Sequence, residues 1–118
     1  ALFFLEVDRG TETLSNPQKG VLKMVRFYLG YLANGGYQSY SEDFKTEEDF
    51  TSFRALIVTT SAERVENMRS AASSLPQQMH RGLQALWCTT FDQLTPRTIF
   101  TPIWVSLYEN DDKRYTIA

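Results

Sequence analysis

Residues 53–60, FRALIVTT, followed at once by Ser61, form the stretch of sequence that decides the fold. The continuous apolar centre of this stretch is typical of a strand that is buried on both faces of a sheet. Ser61 is a good N-cap, so a helix is expected to start directly after the strand, and Pro76 is expected to end or kink that helix. The apolar residues of the predicted helix recur at helical spacing as Val65, Met68, Ala72, Leu75 and Met79.

The same alternation of strand and helix extends along the rest of the chain. Strands are predicted from the apolar patterns at 2–8, 83–89 and 103–108, and a helix is predicted from about 18 to 33, where Asn34-Gly35-Gly36 ends it. The order strand, helix, strand, helix, strand, strand predicts an α/β domain with a largely parallel central sheet. No linker or internal repeat interrupts the pattern, so residues 1–118 are interpreted as one domain.

The composition excludes several classes of protein. With 118 residues, of which 42% are hydrophobic, the chain is long and apolar enough for one compact domain, which excludes a disordered or low-complexity protein. No apolar run reaches the ~18 residues of a membrane span, so no membrane partner is expected. The single cysteine, Cys88, excludes a disulfide framework within the chain, and a cytoplasmic location is expected. Because the chain opens on the apolar stretch 1–5, ALFFL, it is interpreted as a fragment of a longer protein.

The charge balance argues against an indiscriminate nucleic-acid binder, because the formal net charge is −2. The acidic residues are unevenly distributed, however, and five of the 14 stand within residues 42–49. A basic face elsewhere on the domain is therefore compatible with the sequence.

Glu6 and Asp8 stand two residues apart at the end of the first predicted strand. Side chains at positions i and i+2 of a strand point to the same face, with Cα atoms roughly 6.5–7 Å apart. Two carboxylates in this arrangement can share a hard cation such as Mg²⁺ or Mn²⁺, which can activate a water molecule and stabilise charge on a phosphate. The alternative is a strand end at which both acids are simply exposed to solvent.

Three cations of the predicted helix at 18–33, namely Lys19, Lys23 and Arg26, fall at i, i+4 and i+7 and therefore share one face. If this helix packs back across the sheet, Lys23 lies near the two carboxylates and suits a scissile phosphate or an attacking water. The alternative is a solvated basic face.

Aromatic residues crowd this helix and the segment after it. Most of them are expected to pack in or near the core, and stacking on unpaired bases is the alternative. The residues concerned are Phe27, Tyr28, Tyr31, Tyr37 and Tyr40.

Other candidate residues carry weaker signals. Cys88 lies in an apolar strand and is interpreted as an inert core thiol. Arg64 follows Ser61 by three residues and is interpreted first as part of a helix cap and only second as a phosphate contact. No Gly-rich phosphate loop and no dinucleotide-binding fingerprint is present.

These residues together resemble the C-terminal domain of the replication-relaxation proteins, which are found on bacterial plasmids and integrated mobile elements. The resemblance spans most of the chain, and its distinctive motif is the block EVDRGT. The matching positions are 4–11 (FLEVDRGT), Lys23 and Tyr31 in the following helix, 57–61 (IVTTS), Arg64, and 102–104 (PIW).

The resemblance implies a PD-(D/E)XK restriction-endonuclease-like fold, in which a mixed central sheet is flanked by helices in three layers. It implies that Glu6 is the central acid of the motif. Glu6 and Asp8, whose spacing suits a shared cation, are then expected to hold Mg²⁺ or Mn²⁺. Asp8 stands where that motif has a lysine, so Lys23, or as second choice Lys19, is expected to supply the amine. The upstream aspartate of the motif is absent from this sequence. Arg9, Lys19 and Arg26 are expected to contact DNA.

Two functions stay open on this basis. The first is a nuclease-like domain that cleaves DNA phosphodiesters with Mg²⁺, in a protein that also carries an N-terminal winged-helix DNA-binding domain. The second is a catalytically inactive nuclease-fold module for protein interaction or dimerisation. Independently of this choice, an open edge of the first strand is expected to pair with another copy and form a homodimer.

Overall fold

Strands and helices alternate in the computed structural model, which describes residues 2–10, 20–33 and 53–117. This alternation confirms the α/β class. The elements in chain order are β1 (Leu2–Val7), α1 (Gly20–Ala33), β2 (Phe53–Thr59), α2 (Ala62–Ala72), a 3₁₀ helix (Gln77–Ala85), β3 (Leu86–Thr90), β4 (Trp104–Ser106) and β5 (Arg114–Tyr115).

The five strands form one mixed sheet in the order β1-β2-β3-β4-β5. The pairs β1–β2 and β2–β3 are parallel, whereas β4 and β5 add to the sheet in antiparallel fashion. Glu6 stands beside Ile57 in the register of β1 and β2. Because parallel strands have their carboxyl ends at the same edge of a sheet, the residues that follow β1 and β2 meet there.

The helices cover one face of the sheet. Apolar side chains of β2 and β3 on this face pack against the buried stripes of α1, α2 and the 3₁₀ helix, which is the arrangement that removes most apolar area from water. The buried members of this core include Phe53, Ala55, Ile57, Leu86 and Cys88 from the strands, and Leu22, Val25, Leu29, Val65, Met68, Ala72 and Leu83 from the helices.

The opposite face of the sheet is covered differently. Trp87 and Trp104 are buried there, and the chain that leads into β4 and out of β5 packs over them. The Trp87 ring stacks on Tyr115 with 4.8 Å between centroids, and the Arg54 guanidinium lies 5.2 Å from the centre of the same ring. Within the part of the chain that the structure describes, all helices therefore contribute to the first face and irregular chain covers the second.

Helix α2 begins as the sequence predicts, because the Ser61 side chain accepts a hydrogen bond from the backbone N–H of Arg64 at 3.1 Å. The helix ends at Ala72, before the predicted stripe is complete, and a 3₁₀ helix starts after Pro76. That 3₁₀ helix occupies residues 83–85, which were expected to open a strand, so β3 begins only at Leu86. Gly82 allows the 3₁₀ helix to pack closely against α1, because a Cβ at Gly82 would lie 2.7 Å from a methyl carbon of Leu29.

Among the described residues, no helix combines the length and the apolar character needed to cross a membrane.

Candidate functional site

The candidate site lies at the carboxyl end of β1, on the face that the helices cover. Glu6 accepts a hydrogen bond from the hydroxyl of Tyr28 in α1. Asp8 accepts hydrogen bonds from Thr59 at the end of β2 and from Arg64 in α2. The two carboxylates therefore share one face of the strand, as their spacing predicts.

Asp8 is the centre of a buried ion pair. Its Oδ2 accepts from Arg64 Nε at 2.9 Å and from Thr59 Oγ1 at 2.6 Å, and its Oδ1 accepts from Arg64 Nη2 at 3.3 Å. The exposed fractions of the Asp8 and Arg64 side chains are only 6% and 13%. Burial acts to raise the pKa of Asp8, but the hydrogen bonds from Arg64, Thr59 and the Gly10 backbone, with the positive charge of Arg64, lower it below the usual 3.8.

This ion pair, the Asp8 junction of Asp8, Thr59 and Arg64, joins three elements. It ties the end of β1 to the end of β2 and to the first turn of α2. Gly10 closes the turn beyond it with a φ of 80°, and a Cβ at this position would approach the Thr60 hydroxyl to 3.1 Å. The sequence interpretation did not find the junction, although one signal exists. Arg64 lies in the first turn of the helix that follows β2, and β2 is the parallel neighbour of β1.

Glu6 faces a cleft of about 870 Å³ between the end of β1 and α1. The lining includes Glu6, Asp8 and Arg9 from the β1 side and Lys23 and Phe27 from α1. The structure thus places Lys23 in the same cleft as the two predicted carboxylates. We refer to this space as the Glu6 cleft. Its two cations, Arg9 and Lys23, are exposed to solvent.

Of the other predicted DNA contacts, Arg26 lies within the described residues and Lys19 does not. Arg26 lines a neighbouring cavity of about 1000 Å³ between α1 and the 3₁₀ helix. Lys19 lies outside the described residues, as do Tyr37 and Tyr40.

The aromatic residues of α1 divide into packed and exposed members. Tyr28 and Tyr31 each contact the rings of Phe4 and Phe53, with centroids 5.3–5.9 Å apart across this cluster. Burial and the hydrogen bond to Glu6 raise the pKa of Tyr28, so its hydroxyl keeps the proton that it donates. Phe27 differs, because 65% of its surface is exposed.

The carboxylates of Glu6 and Asp8 differ in their ability to bind a divalent cation. Both oxygens of Asp8 already accept hydrogen bonds from a guanidinium, so a cation at Asp8 would have to displace Arg64. Glu6 has one partner within the described residues, Tyr28, and keeps acceptor capacity toward the cleft. No group of three or more His, Cys, Asp or Glu side chains comes together in the described ranges. Glu6 therefore fits a metal ion that takes most of its ligands from water and substrate, and Asp8 does not.

The only cysteine is not a candidate nucleophile. Cys88 is fully buried, and burial together with the negative charge of Asp8 raises the pKa of its thiol to about 12. A thiol with this pKa carries almost no thiolate at neutral pH, and the thiolate is the reactive form.

Comparison of the chain with protein-family models, with curated proteins and with solved structures gave no match.

Proposed function

We propose that this domain binds DNA at the Glu6 cleft, as the nuclease-like domain of a protein of the replication-relaxation type. The observation that carries the proposal is the convergence of Glu6, Arg9 and Lys23 on one cleft beside a helix. Glu6 and Arg9 belong to the EVDRGT block, which is the most distinctive part of the resemblance. Glu6 and Arg9 therefore support the proposal twice, because they belong to the motif of the resemblance and also line the cleft.

The charges around the cleft support a polyanion as its ligand. The charge of Asp8 is neutralised by Arg64 within the buried ion pair. Glu6 then stands against two exposed cations, Arg9 and Lys23, and Arg26 lines the neighbouring cavity. Within the described residues the cleft thus has one more cation than uncompensated acid, and this balance favours a phosphate backbone although the net charge of the whole chain is negative.

The restriction-endonuclease-like arrangement belongs to the proposal as well. A parallel β1-α1-β2 unit with an acid at the end of β1 supports it, whereas the helices of the described residues cover one face of the sheet and do not supply the second helical layer of that fold. In it, Glu6 would hold Mg²⁺ or Mn²⁺, and such an ion, when bound, supplies stabilisation of phosphate charge and an activated water. The chain's own contribution is positional. Tyr28 orients the Glu6 carboxylate, and Lys23 and Arg9 would contact phosphate oxygens.

The second candidate is a catalytically inactive nuclease-fold module for protein interaction or dimerisation. One observation favours it, namely that the Asp8 carboxylate is committed to Arg64 and Thr59. A nuclease site of the expected kind uses both carboxylates as metal ligands. In this domain only the Glu6 carboxylate remains available for that role. The exposed apolar side chains of Phe3, Leu5 and Val7 on β1 suit the protein-interaction form of this candidate.

DNA binding is tested by fluorescence anisotropy with a labelled duplex that carries a single-stranded tail. The Arg9→Gln, Lys23→Gln double variant should bind more weakly, and the slope of log affinity against log salt should fall by about two because two phosphate contacts are lost. Lys113→Gln is the matched control, since Lys113 is also exposed and lines a different pocket. If the double variant and the control bind alike, the Glu6 cleft is not the DNA site.

Cleavage is tested on the same DNA with Mn²⁺. Cleavage by the wild-type chain that Glu6→Gln abolishes would support the nuclease. Binding without cleavage, and with an affinity that Mn²⁺ and Glu6→Gln leave unchanged, would support the inactive module.

A further inference from the structure

The Glu6 cleft and the neighbouring cavity lie side by side along α1 and share two residues, Lys23 and Phe27. Together they form a trough on the exposed side of this helix, which we call the α1 trough. The residues that line the α1 trough include Arg9, Lys23, Arg26, Phe27, Gly30 and Arg81.

Phe27 stands at the middle of the α1 trough. Its ring is 65% exposed, and its neighbours in the helix hold it from two sides. Tyr28 contacts it in an edge-to-face arrangement with centroids 5.3 Å apart, and Tyr31 lies nearly parallel to it at 6.2 Å. An exposed ring that is braced in this way presents a rigid aromatic surface to the solvent.

Gly30 lies one turn beyond Phe27, and no contact within the described residues requires it to be glycine. A Cβ at Gly30 would meet no atom within 4 Å, although glycine is unfavourable inside a helix. The absence of a side chain keeps the α1 trough open next to the ring. By contrast, Gly82 on the far wall is required by its contact with Leu29.

We propose that the α1 trough binds an unpaired segment of DNA, with a base stacked on Phe27 and phosphates held by the cations beside it. Single-stranded nucleic acid is recognised by this combination of an aromatic surface and a basic groove. Charge complementarity supports it, because within the described residues Arg9, Lys23, Arg26 and Arg81 line the trough and the acids on it are Glu6 and the ion-paired Asp8. A base inside a duplex is stacked on its neighbours and is not available to Phe27.

This inference rests on the proposed function and makes it more specific, since it names the strand state of the DNA. It also separates the roles of the residues. The cations contact any DNA backbone, whereas Phe27 distinguishes unpaired from paired bases.

The test measures the affinities of the wild-type chain and its variants for a fluorescein-labelled oligothymidine and for a labelled blunt hairpin duplex. The wild-type chain should bind the single strand more tightly. Phe27→Leu, which keeps the apolar volume, should weaken single-strand binding about tenfold and leave duplex binding unchanged, because stacking on one ring is lost. Phe27→Trp should retain the preference. Phe100→Leu is the matched control, since Phe100 is likewise 65% exposed and lies outside the α1 trough.

A second variant blocks the α1 trough without removing any of its residues that contact DNA. Gly30→Leu places a side chain into open space on a helix that favours leucine, so the fold is retained. We expect it to weaken single-strand binding by about tenfold as well, because the chain can no longer lie against the helix.

The outcomes distinguish this inference from the proposed function. If Phe27→Leu and Gly30→Leu leave single-strand affinity unchanged while the Arg9→Gln, Lys23→Gln variant loses DNA binding, the unpaired-strand inference is wrong and the DNA site stands. Equal wild-type affinity for single strand and duplex would also contradict the inference. Failure of the wild-type chain to bind either DNA would overturn both proposals.

Discussion

Glu6 and Asp8 lie on the same face of the same strand, but the Asp8 junction and the Glu6 cleft are different environments. At the Asp8 junction a carboxylate is buried, neutralised by a guanidinium and hydrogen bonded to a second strand. At the Glu6 cleft a half-buried carboxylate has one hydroxyl partner and faces exposed cations. The comparison shows that spacing along a strand determines which face an acid occupies, whereas burial and counter-ions determine what the acid does.

The Asp8 junction and the Glu6 cleft also contribute to different degrees to the stability of the fold. The Asp8 junction joins β1, β2 and α2, so a change there affects three elements at once. The Glu6 cleft joins β1 to α1 through one hydrogen bond beside an aromatic cluster that packs without it. We therefore expect stability to depend on the Asp8 junction and ligand binding to depend on the Glu6 cleft.

The largest expected effect is that of Arg64→Leu. Removing one partner of a buried ion pair leaves the other charge without compensation, so the free energy of unfolding should fall by about 3 kcal/mol. Urea unfolding followed by tryptophan fluorescence measures it. Lys23→Leu is the control on the side of the Glu6 cleft and should change stability by no more than about 0.5 kcal/mol, since Lys23 is exposed. Equal effects of the two changes would remove the distinction between the regions.

A smaller effect is expected from acid. Because the pKa of Asp8 is lower in the folded chain than in the unfolded chain, its ion pair contributes stability above the unfolded value and loses it as the pH falls through the folded value. The wild-type chain should therefore lose stability more steeply below about pH 4 than Asp8→Asn does. Asp111 also has a lowered pKa, but it is present in both proteins and cancels in the difference. Parallel pH profiles would contradict the role assigned to Asp8.

Thr59→Val is expected to have a moderate effect. The substitution keeps the shape of the side chain and removes the hydroxyl that donates to Asp8 at 2.6 Å. Because the acceptor is a buried carboxylate, the loss should be about 1.5 kcal/mol in urea unfolding. A change within the error of the measurement would mean that Arg64 alone holds Asp8.

Tyr28→Phe is the matching change at the Glu6 cleft and should have the smallest effect. It removes the hydroxyl that donates to Glu6 but keeps the ring that packs on Phe4 and Phe53. Glu6 is only half-buried and can turn to water, so the loss should stay below about 1 kcal/mol. A loss larger than that of Thr59→Val would reverse the order of the two regions.

Most of the fold could be predicted from the sequence, because hydrophobic periodicity and capping act locally. The strand at 53–59 and the Ser61 cap appear where the sequence places them, whereas α2 ends already at Ala72 and Pro76 instead precedes the 3₁₀ helix. The misses have physical reasons. The strand β5 has only two residues, Arg114 and Tyr115, and it exists because they pair with β4.

The candidate site could be predicted only in part. The spacing of Glu6 and Asp8 and the helical position of Lys23 were enough to expect them near one another, and all three line the Glu6 cleft. The hydrogen-bonding partners of the two carboxylates could not be predicted from the sequence in the same way. Tyr28 is 22 residues from Glu6, and Arg64 is 56 residues from Asp8, so their contacts depend on how the elements pack.

The sequence by itself determined the alternation of strands and helices, the start of α2 and the shared face of two carboxylates, because these follow from local periodicity, capping and the two-residue repeat of a strand. The tertiary structure alone decided that Asp8 is paired with Arg64 and that Glu6 faces the cleft that Arg9 and Lys23 also line. It also decided that Phe27 is exposed beside Gly30, whereas Tyr28 is packed. These differences depend on desolvation and on distances between residues far apart in the chain, and such quantities are defined only once β1, β2 and the helices have packed together.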